Sequence, residues 1–253
     1  MDSVYTKIEQ LKKEGKRAAL CILIDTEGST PRKPGAKMIV YPDGQNFGSI
    51  GGGSVEKEVV AEAVKLIETG ISRKCRFKLE QDLGMHCGGT MEVYIEPLLP
   101  NQRVILFGAG HIGREVAQLA REFDFSVTAI DPRENIFQDP AFNNCTCLNK
   151  DYFDAIAEVM LDAYCYLVIV TPKHVFDEEI LAEVARKPHA YLGMIGSKSK
   201  VNALTKRFLE ENILTREELE KIDMPIGIKF NAQTPREIAL SIVAKLIDVR
   251  NSA

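Results

Sequence analysis

The sequence has no run of five or six Lys or Arg, and its formal net charge is −4. It therefore lacks the electrostatic footprint that nucleic acid or an anionic membrane demands. No apolar stretch approaches the ~18 residues of a membrane span, and Met1-Asp2-Ser3-Val4-Tyr5 has neither the basic start nor the apolar run of a secretory signal. The expectation is a cytoplasmic protein with no nucleic-acid or membrane partner. The six cysteines are scattered and contain no CxxC pair, which speaks against a disulfide framework or a standard structural zinc site and leaves reduced thiols as the default. Internal repeats, low-complexity tracts and any Ser/His/Asp-type nucleophile triad are also missing.

What is present is enough to build real cores: 253 residues, of which 45% are hydrophobic and 27% charged. Pro97-Leu98-Leu99-Pro100-Asn101 interrupts two patterned regions and is not expected to continue a central strand. It divides the chain into domains at residues 1–98 and 102–253. In the first, residues 3–14 read as a helix stopped by Gly15, followed by an apolar strand from Ala18 to Ile24. Lys37 to Val40 and Phe47 to Ile50 flank the turn chemistry of Pro42-Asp43-Gly44 and suggest a hairpin. Ser54 is the expected N-cap of a helix ending at Gly70, with Val55, Val59, Ala63, Leu66 and Ile67 on one apolar stripe. Strands from Arg73 to Leu79 and from Met91 to Ile95 complete an α+β domain.

In the second region apolar runs alternate with helical patterns: Val104 to Phe107, Ser126 to Ile130, Cys145 to Leu148, Tyr166 to Val170 and Tyr191 to Ile195. This rhythm predicts a parallel sheet with crossover helices. Thr234, Pro235 and Glu237 form a capping box ahead of Ile238, Ile242, Leu246 and Ile247. The fold class is therefore α/β, a C-terminal Rossmann-type parallel-sheet domain with a smaller N-terminal α+β domain.

Gly108-Ala109-Gly110-His111-Ile112-Gly113 fits GxGxxG, and its context strengthens the match. It lies between an apolar strand and an amphipathic helix that is expected to turn Ile112, Val116, Leu119, Ala120 and Phe123 inward. Gly108 permits the tight turn, Gly110 lets the backbone approach a pyrophosphate, and Gly113 lets helix pack on strand. Asp131 closes the next strand about twenty residues after Gly110, where a carboxylate can bind ribose hydroxyls. The fingerprint specifies a fold better than a reaction, so a site adapted to another ligand remains open. His111 either faces that ligand or is a solvated loop histidine.

Four further loops are candidates. Gly48 to Ser54, with Gly51, Gly52 and Gly53, is either an anion-holding turn with free N–H groups or a glycine-rich connection. Pro31 and Arg32, within Ser29 to Gly35, form either a phosphate clamp or a solvated basic loop. His86, Cys87 and Gly88 combine imidazole and thiol in a way suited to a soft metal, while Cys145 and Cys147 are weaker candidates. Gly196 and Ser197, with Lys198 and Lys200, end one predicted strand on the ligand-binding edge of the sheet. His174 and Asp177 follow another, as ligand contacts or proton handlers.

Six blocks, GSTPRKPGAKMIV, GSIGGGSVE, HCGGTMEVYIEPL, ILFGAGHIG, YLGMIGSKSK and TPREIALSI, together resemble the XdhC/CoxI family of accessory proteins for molybdenum hydroxylases. The resemblance spans nearly the whole chain. It implies a chaperone that holds the sulfurated molybdenum cofactor, as molybdopterin or its dinucleotide form, and delivers it to a xanthine dehydrogenase-type apoenzyme. Carried over by position, the family's glycine-rich loop falls on Gly51, Gly52 and Gly53, its PRxPG loop on Pro31, Arg32, Pro34 and Gly35, and its CGG on Cys87, Gly88 and Gly89. Cys87 is the expected metal-approaching thiol. The resemblance also implies a homodimer, and a cysteine desulfurase is a candidate sulfur-supplying partner. The chain departs from the pattern at Ser54, where many members have cysteine, at Pro172, where they have histidine, and at Phe230 to Ala232. The competing readings are an NAD(P)-dependent oxidoreductase, for which His111 and His174 are the available proton donors, and a nucleotide-sensing regulatory protein.

Overall fold

A computed structural model describes residues 3–78 and 89–252. The chain divides into two compact units, Met1–Pro100 and Asn101–Ala253.

The first unit is a five-stranded antiparallel sheet in the order β3-β2-β1-β5-β4, built from β1 (Ala18–Glu27), β2 (Lys37–Val40), β3 (Asn46–Gly48), β4 (Arg73–Lys78) and β5 (Thr90–Leu98). Helix α1 (Val4–Glu14) starts at Ser3, whose hydroxyl accepts from the Thr6 N–H, and stops at Gly15 in the left-handed conformation. Helix α2 (Gly53–Thr69) buries the predicted stripe of Val55, Val59, Ala63, Leu66 and Ile67 against Cys21, Leu23, Met91, Val93 and Ile95 of the sheet.

Two details differ from the sequence reading. Strand β5 runs through Pro97 rather than stopping before it. Its β4 partner ends at Arg73, opposite Ile95, so the missing Pro97 N–H costs no ladder bond on that side. The N-cap of α2 is Gly52, at φ 75°, rather than Ser54.

The second unit is a five-stranded parallel sheet in the order β10-β9-β6-β7-β8, from β6 (Arg103–Phe107), β7 (Ser126–Ile130), β8 (Thr146–Leu148), β9 (Cys165–Ile169) and β10 (Tyr191–Met194). Strand β6 pairs with β7 on one side and β9 on the other, which makes the β6/β9 boundary the topological switch point of a Rossmann sheet. Both faces are covered, and the central strands are accordingly apolar throughout. Helices α3 (His111–Glu122) and α8 (Pro235–Ser252) lie over one core, while α4 (Tyr152–Glu158), α5 (His174–Val184) and α6 (Lys198–Glu210) follow β8, β9 and β10. A short helix α7 (Arg216–Glu220) carries a capping box between Thr215 and Glu218.

The predicted box at α8 also forms. The Thr234 N–H donates to Glu237 at 3.0 Å, and the Glu237 N–H donates to the Thr234 hydroxyl at 3.3 Å. On α3, Val116 and Ala120 are buried as expected and Ala117 joins them, but Phe123 is 41% exposed. Phe123 is the C-cap residue, where the helical phase that would turn it inward has ended. No helix among the described residues is long and apolar enough to cross a membrane.

Candidate functional site

The turn between β6 and α3 shows why each glycine stands where it does. Gly108 has φ 105°, and a Cβ there would lie 2.5 Å from the Val170 carbonyl oxygen, so β6 and the end of β9 touch at this point. At Gly113 a Cβ would fall 2.0 Å from the Gly108 carbonyl oxygen. Gly110 is different: its φ of −75° and ψ of −163° suit any residue, and a Cβ would meet nothing nearer than Arg133 Nη2 at 3.8 Å. Nothing inside the fold requires glycine at 110. The open space lies at the start of α3, which has no side-chain cap and no acidic residue in its first turn. His111 is the first residue of that helix and is exposed.

Asp131 closes β7 as anticipated but is turned inward. It is fully buried, and its carboxylate accepts from the Ala109 N–H at 2.8 Å and from Arg133 through its backbone N–H, Nε and Nη2 at 3.1, 2.8 and 2.7 Å. Burial pushes its carboxyl pKa up, but the Arg133 and Ala109 hydrogen bonds outweigh burial and hold it below the ordinary value. Both oxygens are engaged within the protein, so the ribose-binding role expected of Asp131 has no open acceptor behind it. Asn149 fixes the same corner, with Nδ2 donating to the Asp131 and Arg133 carbonyls at 2.8 Å each.

Along the same sheet edge, Asp177 is buried and accepts from the Thr171 N–H and hydroxyl at 2.9 and 2.7 Å, clamping the β9 end to the first turn of α5. His174 is the first residue of that helix. Ser197 is the N-cap of α6, and Gly196 precedes it. Gly196 lines a cavity of about 480 Å³ together with Ile195, Lys198, Ile228, Lys229 and Phe230. A Tyr191–Asp223 hydrogen bond of 2.5 Å, with the Gly227 N–H on the same carboxylate oxygen at 2.8 Å, anchors the segment leading into this wall. Burial and then Asp223 raise the Tyr191 pKa, so the phenol keeps its proton.

In the first unit the glycine turn does hold an anion, but one of its own. Glu56 Oε1 accepts from the Ser49 hydroxyl at 2.6 Å and from the N–H groups of Ile50, Gly51 and Gly52 at 3.0, 3.2 and 2.7 Å. Burial raises the Glu56 pKa and these hydrogen bonds more than reverse it, leaving a carboxylate. The N–H groups expected to be free are therefore taken, and Glu56 explains why the helix starts at Gly53 instead of being capped by Ser54.

Pro31 and Arg32 lie beside this turn, since a Cβ at Gly51 would come 2.9 Å from Pro31 Cγ. A Cβ at Gly89 would come 2.5 Å from the Ser29 carbonyl oxygen. The structure thus brings together the Arg32 loop, the Gly51–Gly53 turn and the backbone at Gly89. His86, Cys87 and Gly88 lie outside the described residues. The described cysteines, Cys21, Cys75, Cys145, Cys147 and Cys165, are free, and burial raises the pKa of each, that of Cys21 to about 12. Among the described residues no group of three or more His, Cys, Asp or Glu is placed to hold a metal ion.

Sequence reasoning misses Glu56 and Arg133. The Asp131-Pro132-Arg133 adjacency is a usable signal for the second, but no sequence pattern assigns a helical Glu to the turn that precedes it.

Comparison with known proteins adds a family signature. Residues 104–246 match the XdhC Rossmann domain, and residues 11–78 match the XdhC and CoxI family. The chain is 30% identical over 257 residues to the uncharacterized protein YqeB of Escherichia coli K12, an overlap covering 99% of this chain and 47% of YqeB. It therefore spans less than half of that relative. It is 26% identical to the molybdenum cofactor insertion chaperone PaoD of the same organism, covering 93% of this chain and 84% of PaoD. It is 23% identical to a Bacillus subtilis 168 protein named as a probable xanthine dehydrogenase subunit, covering 99% and 98%. In three dimensions it resembles a crystal structure described as a xanthine dehydrogenase from Bacillus halodurans, with a TM-score of 0.54, 23% identity, and coverage of 97% of this chain and 95% of that one. At that identity the likeness speaks to fold alone.

Proposed function

The chain belongs to the XdhC family, and from that premise we propose that it is an accessory protein of a xanthine dehydrogenase-type molybdenum hydroxylase. It holds the molybdenum cofactor as cargo and hands the sulfurated form to the apoenzyme. The observation that carries this reading is Gly110, a glycine with no structural duty, which leaves room for a phosphate against the uncapped N-terminus of α3. Molybdopterin carries such a phosphate. The names of PaoD and of the Bacillus subtilis relative support the direction of the assignment.

In the first unit Arg32 is exposed and follows Pro31, which lies against the Gly51 turn, and it is a cation we assign to cofactor binding. Cys87, in the CGG block that the family resemblance singles out, is the thiol we assign to the metal, since a thiolate suits a soft, sulfur-rich centre. A cysteine desulfurase as sulfur source, a homodimeric assembly and a cytoplasmic site of action complete the proposal.

The test is anaerobic purification followed by oxidation and pterin fluorescence, paired with activation of a cofactor-free xanthine dehydrogenase. Stoichiometric pterin and activation above that given by free cofactor are expected. Absence of retained pterin from protein made in a cofactor-producing host would refute the carrier role.

A further inference from the structure

The geometry points to Arg133 as the residue that sets ligand choice at the Rossmann turn, making it a receptor for a phosphomonoester and closing it to an unsubstituted ribose diol. The inference deepens the reading of the Gly110 turn as a phosphate site and rests on it.

A carboxylate at the end of this strand ordinarily accepts hydrogen bonds from ribose hydroxyls, and a nearby arginine accommodates a ribose phosphate instead. Sequence position alone puts Asp131 in the first class, and the structure moves it to the second. All the acceptor capacity that Asp131 directs toward the turn is spent on Ala109 and Arg133, and no part of it is exposed. A diol arriving here would have to break a buried charged pair to gain two ordinary hydrogen bonds. The Arg133 side chain, by contrast, is 43% exposed. Its Nε and one Nη2 hydrogen face Asp131, and Nη1 makes no hydrogen bond among the described residues, which leaves donors on the outer edge.

Nη2, which gives one hydrogen to Asp131 and keeps a second, lies 3.8 Å from where a Gly110 Cβ would be. The Arg133 side chain is held there by the buried carboxylate and its backbone by Asn149, so little ordering remains when a ligand arrives. Asp131 would on its own repel a phosphate, and Arg133 cancels that charge while presenting planar N–H donors to it. A dianionic phosphomonoester against the start of α3 satisfies both the guanidinium edge and the uncapped helix. Two ligands carry that group: a pterin ending in a phosphate, and a dinucleotide with a 2′-phosphate on its ribose.

The test is equilibrium titration of the full chain with two matched pairs. The first is NADP⁺ against NAD⁺. The second is the fluorescent oxidised derivative of molybdopterin, with its phosphate and after phosphatase treatment. The phosphorylated member of at least one pair is expected to bind about tenfold tighter or more, as a charge-assisted contact implies. In Arg133→Leu that ratio should fall to within about twofold, and in Arg133→Lys it should survive in part. Because Arg133→Leu unpairs a buried carboxylate and threatens folding, the quantity read is the ratio within each protein, which a loss of folded fraction does not move.

A preference in the nucleotide pair identifies the source as a 2′-phosphoribose, and in the pterin pair as the cofactor's own phosphate. No binding by any probe, no preference in either pair, or a preference that Arg133→Leu leaves intact would each overturn the inference. Pterin retention and apoenzyme activation, measured on the same proteins, keep the two claims apart. If they persist without a phosphate preference, only the role of Arg133 falls. If the preference holds while retention fails, only the carrier reading falls.

Discussion

Alanine placed in turn at Gly113 and at Gly110 should separate folding from ligand binding in the Rossmann unit. In Gly113→Ala the new methyl would sit 2.0 Å from the Gly108 carbonyl oxygen. Ordinary contact is nearer ~3.5 Å, so α3 must lift from the turn or the turn must deform. A carbonyl has no rotamer with which to step aside, which places the cost toward the upper part of the ~1–3 kcal/mol range for overpacking. The better helix propensity of alanine returns up to about 1 kcal/mol. A net loss of roughly 1–2 kcal/mol remains, and at about 2–4 °C per kcal/mol for a domain of this size the melting temperature should fall by several degrees.

Gly110→Ala meets nothing closer than 3.8 Å and keeps an allowed φ, so its effect on stability should lie within about 0.5 kcal/mol. Its methyl nevertheless occupies the space through which a phosphate approaches the α3 N-terminus, and binding should weaken by about tenfold or more. Differential scanning calorimetry and ligand titration on the two variants give all four numbers. Equal losses of melting temperature, or unchanged ligand affinity in Gly110→Ala, would refute the reasoning.

Glu56→Ala should cost about 2–3 kcal/mol in the first unit, since one charged acceptor serves four donors, and Glu56→Gln less. Amide exchange at Ile50, Gly51 and Gly52 should accelerate in both, and unchanged exchange would remove Glu56 as the organiser of the turn. The lowered carboxyl pKa of Asp131 makes its contribution complete above the unfolded value near ~3.9 and lost as pH falls through the folded one. The stability gap between wild type and Asp131→Asn should therefore be constant from about pH 7 to about pH 5 and shrink below about pH 4, as followed by urea titration; a gap that widens on acidification would contradict the ion pair. Cys87→Ala is expected to lower pterin retention severalfold with no change in far-ultraviolet circular dichroism, and undiminished retention would count against the thiol.

The periodic features of the sequence carry the fold. The stripe from Val55 to Ile67, the apolar run at Val104 and the box at Thr234 and Glu237 all describe contacts made along one element, at spacings that helix and strand geometry impose. Helices α6 and α7 are not anticipated although Ser197 and the Thr215–Glu218 pair cap them, because their apolar positions are sparse beside their charges.

The site is legible in the sequence as a set of loops but not as a set of bonds. Glu56 reaches back over the turn before its own helix, and Asp131 turns away from the ligand edge toward Arg133. Both choices are made in three dimensions between a side chain and a bent backbone, where no repeat length applies. Gly110 and Gly113 look alike in the fingerprint, and only their surroundings show that one leaves space and the other serves packing.

Strand β4 closes one side of the first sheet with four cations in six residues: Arg73, Lys74, Arg76 and Lys78. Arg73, Lys74 and Arg76 pair with carboxylates at Glu62, Glu92 and Glu27, yet each keeps more than half of its side chain in solvent. A second molecule offering the same edge would bring two such rows of charge face to face across a strand spacing of about 4.8 Å, a repulsion that opposes the strand pairing from which aggregates grow. Charges of one sign along that strand thus oppose self-association by strand addition at this edge.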